Sequence, residues 1–228
     1  SIPHPLIAAS AARPAHNALL DANRSWSYRE LRQNVAQRAT GLRQAGILPG
    51  QRVVLAIERT YDSVLDFWAL GWLGAVPVLV DPGSPTVGVT QATALLNCIT
   101  LPESIPSSTV ESSPHRWSLS AERLVLFSSG STGAPKPIVL TTGQLVFSAM
   151  GQAGRIGHHL DDVWACTLPL HHIGGISILL RTMWLHTTTR LYSRWCPSEI
   201  SRDIDQGVIT LVSLVPTMLE ELLDARED

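Results

Sequence analysis

The chain has 228 residues, 45% of them apolar, enough for one large or two small packed domains and incompatible with disorder as its main state. Lys and Arg number 17 against 19 Asp and Glu, a net charge of −2, so no overall positive field exists to collect nucleic acid or anionic lipid. Cys98, Cys166 and Cys196 are too few and too widely spaced for a disulfide framework or a Cys-x-x-Cys metal pattern, and the longest apolar runs, such as Val76 to Val80, fall far short of the roughly 20 residues that span a bilayer.

The chain opens on Ser1 rather than Met, as expected of a processed protein or of a piece of a longer one, and no basic region followed by an apolar run marks a leader, so a cytoplasmic location is expected. Ser27-Tyr-Arg-Glu30 is a capping box ahead of Leu31, Val35, Ala39 and Leu42, which share one helix face, and Gly46 is a stop; the pattern predicts a helix over 28–45. Arg52 to Ile57 is a short β-branched strand, residues 61–74 form a helix, and Val76 to Val80 form a buried strand that ends in a turn at Asp81-Pro82. Residues 99–119 turn to Pro, Ser and Thr, a surface connection between an N-terminal α/β lobe (1–98) and a second α/β lobe (120–228). The rhythm then resumes with strands at 124–128, 138–140, 163–168, 189–192 and 209–214, helices at 142–153 and 176–185, and a last helix capped by Thr217 with Glu220. The expected fold class is α/β, with layered, mostly parallel sheets covered by helices on both faces. Asp161-Asp162 reads as a turn before a strand rather than as a catalytic carboxylate pair.

The most informative stretch is Leu124-Val-Leu-Phe-Ser-Ser-Gly-Ser-Thr-Gly-Ala-Pro-Lys136. An apolar strand runs into a turn whose glycines allow positive φ and turn backbone N–H groups toward one point, a loop built to hold an anion. Its hydroxyls can donate to phosphate oxygens or ligate Mg²⁺. Lys136, the one lysine among the 17 basic residues, adds a point charge on a flexible stem. The loop is not a Walker loop, because Pro135 and Pro137 flank the lysine and a strand follows, nor a G-x-S-x-G elbow, because no Gly sits two residues before Ser131. A second cluster is Thr167-Leu-Pro-Leu-His-His-Ile-Gly-Gly175, with Arg181 on the helix that follows. Adjacent His side chains diverge in a regular backbone, so His171 and His172 are not expected to share a metal.

Ser-Gly-Ser-Thr-Gly-x-Pro-Lys after a hydrophobic strand resembles the signature of the adenylate-forming enzymes, the acyl-CoA synthetases, adenylation domains and luciferases. The resemblance implies a loop that closes over the β- and γ-phosphates of ATP, made here of Ser129, Gly130, Ser131, Thr132, Gly133 and Lys136, with Thr132 the hydroxyl near Mg²⁺. The sequence departs from that pattern at Pro137, where Gly or Ala is usual. The resemblance also implies a Pro-Leu-x-His-x-x-Gly motif in which His172 lies beside the reacting carboxylate, while His171 stands at a position where an aromatic is common. His172 to Arg181 and Thr210 to Leu219 resemble the o-succinylbenzoate-CoA ligases of menaquinone and phylloquinone biosynthesis, which carry an Arg at the position of Arg181. A substrate with a second carboxylate would pair with that Arg; the alternative is an Arg181 on a helix surface, paired with a protein acid.

The resemblance runs from Ser27 to Leu222 and covers the first half of a family member, without the later adenine, ribose and C-terminal motifs. It implies an AMP-forming acid–thiol ligase as the full-length protein, using ATP, Mg²⁺ and CoA on a small carboxylate. Lys136 and His172 are then the catalytic residues, and His172 and Arg181 hold the substrate. The chain by itself is expected to be an incomplete N-terminal portion without complete adenylation activity. The loop from Gly130 to Lys136 is expected to be solvent-accessible, its N–H groups awaiting an anion. Another acyl-CoA ligase or a non-catalytic nucleotide-binding module are the alternatives, and oligomeric state is left open.

Overall fold

The computed structural model describes residues 1–128 and 135–227. In chain order the elements are α1 (Pro5–Ala12), β1 (Asn17–Leu20), β2 (Ser25–Ser27), α2 (Tyr28–Gln44), β3 (Arg52–Ala56), α3 (Tyr61–Leu73), β4 (Val76–Val80), α4 (Pro85–Leu96) and β5 (Ile99–Thr100). They continue with β6 (Glu122–Ser128), β7 (Lys136–Thr141), α5 (Thr142–Ile156), β8 (Val163–Cys166), α6 (Ile173–Leu185), β9 (Thr188–Leu191), α7 (Pro197–Asp205), β10 (Leu211–Val212) and α8 (Pro216–Glu227). Local signals set several of these boundaries. The Ser27 hydroxyl accepts the Glu30 N–H at 3.2 Å while Glu30 accepts the Ser27 N–H at 2.8 Å, which satisfies two helix-end donors of α2. Gly74 ends α3 in the left-handed region at φ 88°, where its missing Cβ also leaves room for the His115 ring.

The strands form two sheets of order β10-β8-β9-β1-β2 and β5-β3-β4-β6-β7. The pairs β3–β4, β4–β6, β3–β5, β8–β9, β8–β10 and β1–β9 are parallel, whereas β1–β2 and β6–β7 are antiparallel. Alternation along the second sheet sends Val54, Val78 and Val125 toward Ala92 and Leu96 of α4, and Val53, Leu55, Leu79, Leu124 and Leu126 into the main core. That core also takes residues of α1, α2, α3 and α6 and of the first sheet, whose other face is covered by α7 and α8 through Ile200 and Leu222. Strands buried on both faces explain the continuous apolar runs.

Three expectations need correction. The boundaries drawn at 98 and 120 do not separate the sheets, because β6 and β7 join β3, β4 and β5, and β1 and β2 join β8, β9 and β10. Residues 99–119 are a strap more than a spacer: β5 pairs with β3, the fully buried Trp117 bridges to Ile2, and the Trp117 indole N–H donates to the Gly71 carbonyl at 3.0 Å. The strand expected over 209–214 shrinks to Leu211–Val212, and α8 begins at Pro216, so Thr217 lies inside the first turn instead of capping it; proline is favoured there because its missing N–H needs no partner.

Candidate functional site

The β6–β7 hairpin, α5 and α6 enclose a cavity of about 510 Å³. Leu126, Phe127, Ile138, Leu140, Leu145 and Leu180 make its walls apolar. Its polar groups converge from different elements: Ser128 from β6, Gln144 and Ser148 from one face of α5, and His172, Ser177 and Arg181 from the start and inner face of α6. A second cavity of about 250 Å³ adjoins it and is lined by Asp81, Ser84, Gln91, Pro135 and His171. Phe127, Ser128 and His172 line both cavities and mark their junction.

The segment read from sequence as an anion loop follows Ser128 in the chain. Ser129, Gly130, Ser131, Thr132 and Gly133 lie outside the described residues, and with them the expected metal-ligating hydroxyl of Thr132 and most of the loop whose accessibility was expected. The stems on either side are described: Ser128 pairs with Lys136 across the hairpin, and the exposed Lys136 opens β7. Pro137, opposite Phe127, is accommodated because β7 is the edge strand, where no further ladder partner needs its N–H.

His172 is the N-cap of α6 in extended conformation, φ −112° and ψ 152°, and makes no side-chain cap hydrogen bond, so its imidazole is left to the cavities. The close approach of α6 to the preceding loop depends on Gly175, whose Cβ position lies 2.1 Å from the Pro169 carbonyl oxygen. The two histidines do not diverge as a regular backbone would make them. Residues 170–171 form a turn, and the rings stand 4.3 Å apart between centroids, tilted by 53°. His171 Nε2 is 4.0 Å from an Asp81 carboxylate oxygen, and burial together with His172 holds the His171 pKa below the usual imidazole value despite that acid. Asp81 shapes the turn by accepting the Gly83 N–H at 2.9 Å.

Arg181 is buried at 7% exposure, and among the described residues no carboxylate pairs with it. Its Nη2 donates to the Ser177 hydroxyl at 3.3 Å, one helical turn earlier, while Nε and Nη1 have no protein partner. Its guanidinium carbon lies 4.2 Å from the centroid of the Trp164 ring. Burial lowers its pKa to about 10, still well above neutrality, so an uncompensated positive charge faces a largely apolar cavity at pH 7. The half-buried Arg38 and Arg190 are matched by acids, Arg38 donating to Asp66 at 2.6 Å and Arg190 lying 2.9 Å from Asp203, whereas the other buried arginine, Arg123, donates to the Thr142 hydroxyl at 3.2 Å.

Of the candidates read from sequence, His172 and Arg181 share the main cavity and Lys136 lies at its rim strand. Asp161 and Asp162 stand apart, the former paired with Arg13 at 2.7 Å and the latter accepting from Thr210 at 2.7 Å, as a turn and strand entry require. Ser213 approaches the site indirectly, by accepting the Trp164 indole N–H at 3.2 Å. Ser177 could have been found by spacing, since i and i+4 share a helix face. Trp164, Gln144 and Ser148 had no such signal, because only the tertiary fold brings β8 and α5 to α6.

The chain belongs to the AMP-binding enzyme family, whose model matches residues 7–98 and 93–228. Among curated proteins it is similar to the 2-succinylbenzoate–CoA ligase of Enterococcus faecalis, 28% identical over 232 residues that cover 92% of this chain and 48% of that protein. Among solved structures it resembles o-succinylbenzoate coenzyme A synthetase from Bacillus subtilis in complex with AMP, with a TM-score of 0.90 at 23% identity over 97% of this chain and 50% of that one. The same enzyme in complex with ATP and magnesium ion gives 0.84 at 23% identity, covering 97% and 51%. These structural likenesses establish the α/β fold. The chain spans about half the length of the curated relatives it matches. Among the described residues no helix is long and apolar enough to cross a membrane.

Proposed function

We propose that this chain supplies the phosphate loop and acyl pocket of an AMP-forming acid–thiol ligase that converts o-succinylbenzoate to its CoA thioester. The observation that carries the reading is Arg181, buried, charged and lacking an acid, in an apolar cavity that ends at His172 and at the stem of the anion loop. A dicarboxylate fits this arrangement: the distal carboxylate neutralises Arg181, the aromatic body lies against Leu126, Leu140 and Leu180, and the reacting carboxylate lies toward His172. In the first half-reaction a carboxylate oxygen attacks the α-phosphorus of ATP and pyrophosphate leaves; in the second the CoA sulfur attacks the acyl carbon and AMP leaves.

In this reading Ser129 to Gly133 would hold the β- and γ-phosphates with their N–H groups and hydroxyls, and Thr132 would be the residue whose hydroxyl helps to hold Mg²⁺. The exposed Lys136 at the loop's exit stabilises charge on the departing pyrophosphate. His172 orients the reacting carboxylate. Mg²⁺, when bound, supplies charge neutralisation of the phosphates. The unpaired thiols of Cys98, Cys166 and Cys196 suit a reducing cytoplasm.

The test is pyrophosphate release by the full-length ligase with o-succinylbenzoate, benzoate and a fatty acid as substrates. Arg181→Ala should lower kcat/KM for the dicarboxylate by about 30-fold or more, the equivalent of roughly 2 kcal/mol, and leave monocarboxylates nearly unchanged. Equal losses for both acid classes would remove the succinylbenzoate assignment.

A further inference from the structure

Burying an arginine without an acid requires something else to hold the guanidinium, and the structure shows what does. Trp164 is 4% exposed on β8, and its ring lies beneath the Arg181 guanidinium at 4.2 Å. The indole is itself fixed: its N–H donates to Ser213 at 3.2 Å, and the Ser213 carbonyl accepts from the Thr167 hydroxyl at 3.4 Å. On the in-plane side, the Ser177 hydroxyl donates to the Gly174 carbonyl at 3.1 Å and so meets Arg181 Nη2 only as an acceptor. A guanidinium has five N–H donors in one plane, and stacking on an aromatic face uses none of them. Ser177 takes one of the two Nη2 protons. Whichever it takes, one two-pronged edge remains, either Nε with Nη2 or Nη1 with Nη2.

We propose that Trp164 is a positioning residue of the anion site: it carries the Arg181 guanidinium on its indole face and so leaves a bidentate edge free of protein acceptors for the distal carboxylate of the substrate. The role deepens the functional reading above and, in its last clause, rests on it. An acid in place of Trp164 would also stabilise Arg181 but would occupy that edge, as Asp66 does for Arg38 with bonds of 2.6 and 3.2 Å to Nε and Nη2. Trp117 provides an internal comparison. It stacks on the buried Arg123 at 4.1 Å, but Arg123 donates to Thr142 and does not line the cavity, so that stack holds a guanidinium away from the site.

Two readouts separate the positioning role from the substrate assignment. In ¹⁵N-labelled chain, the Arg181 Nε–H resonance should be ring-current shifted and slow to exchange; Trp164→Leu should return it to the position of a solvated arginine, and Trp164→Phe should retain part of the shift. In the full-length ligase, Trp164→Leu should raise KM for o-succinylbenzoate about tenfold with kcat changed less than about threefold. Trp164→Phe should recover most of that loss, and Trp164→Leu combined with Arg181→Ala should be no worse than Arg181→Ala alone. Trp117→Leu, which removes the other stack, should leave the ratio of KM values between dicarboxylate and benzoate as it is. An Arg181 signal unmoved in both Trp164 variants, or losses that add in the double variant, overturns the positioning role. Equal losses for both acids in Arg181→Ala remove the substrate assignment instead, and the resonance shift still decides what Trp164 does.

Discussion

At the scale of single residues, the clearest physical statement in this molecule is made by groups buried without their usual partners. Arg181 is one and His4 is another. His4 is fully buried among Trp68, Trp72 and Trp117, with ring centroids 5.6, 5.1 and 4.9 Å away; its Nδ1 accepts the Leu6 N–H and its Nε2 has no partner. Burial, reinforced by the nearby Arg123 charge, lowers its pKa from 6.5 to about 3. Between those values the unfolded chain binds a proton that the folded chain refuses, so His4 contributes stability that is present above pH 6.5 and is lost as pH falls toward 3. The expected slope is about 1.4 kcal/mol per pH unit across that window. His16, His171 and His186, also held below the ordinary value, act in the same direction, so the comparison must be between variants. His4→Asn keeps a side-chain acceptor for the Leu6 N–H but does not titrate; denaturant titrations from pH 7 to 4 should show a pH slope shallower by about one proton than in the parent. Parallel slopes would show that His4 is protonated in the folded chain. None of this was visible in sequence, where His4 is one of eight histidines. Arg181 was legible because its position in a motif named it, while the Trp164 ring beneath it was not, since 17 residues and a change of element separate the two.

At the scale of elements, legibility followed local chemistry. The capping box at Ser27 and Glu30 and the apolar period behind it carry α2 without help from the rest of the chain, and the structure ends that helix at Gln44, within a residue of expectation. Elements that depend on distant partners were missed: α1, whose Leu6 and Ala9 are buried in the main core, and the short strands β1 and β2, which exist because β9 offers β1 an edge. Strand 209–214 was overestimated for the same reason, because its apolar run also serves packing against α7 and α8 outside any ladder. The element that positions the site is α6, and its seating rests on Gly174-Gly175. A methyl group at Gly175 would lie 2.1 Å from the Pro169 oxygen, 2.6 Å from its carbonyl carbon and 2.7 Å from the Leu168 oxygen, all backbone atoms that cannot rotate away. Gly175→Ala should therefore lift the first turn of α6, with His172 at its cap, and destabilise the chain by about 1–3 kcal/mol. Gly154, inside α5, has no atom within 4 Å of its Cβ position, so Gly154→Ala should stabilise by up to ~1 kcal/mol through helix propensity. Thermal unfolding of the pair checks the contrast, at roughly 2–4 °C per kcal/mol for a chain of this size; a Gly175→Ala variant as stable as Gly154→Ala would mean that α6 is not seated by that contact.

At the scale of the whole molecule, the change of composition at 99–119 and the division of the fold are different things. Pro and Ser mark where regular structure stops, but parallel strands need crossovers, and crossovers let neighbours in a sheet come from distant parts of the chain. Leu19 of β1 pairs with Thr189 of β9, and Val78 of β4 pairs with Val125 of β6. The strap adds further ties: the Trp72 indole donates to the Ser112 carbonyl at 2.9 Å and His115 N–H donates to the Trp72 carbonyl at 2.7 Å; outside the strap, the Tyr28 hydroxyl of α2 donates to the Thr187 carbonyl at 2.5 Å. A chain cut between Ser107 and Ser108, both near the exposed middle of the strap, would leave each piece with only part of each sheet and with large faces of the shared core open to water. Neither piece should fold alone, whereas the two expressed together should assemble one to one, since the cut removes no buried contact and adds only the entropy of association. A tag on residues 1–107 should then recover residues 108–228 in equal amount, and the complex should show the near-ultraviolet circular dichroism of packed tryptophans. A fragment that alone unfolds cooperatively, with that signal intact, would show instead that the composition boundary at 99–119 is also a boundary of folding, and that the β1–β9 and β4–β6 pairings join two units already stable by themselves.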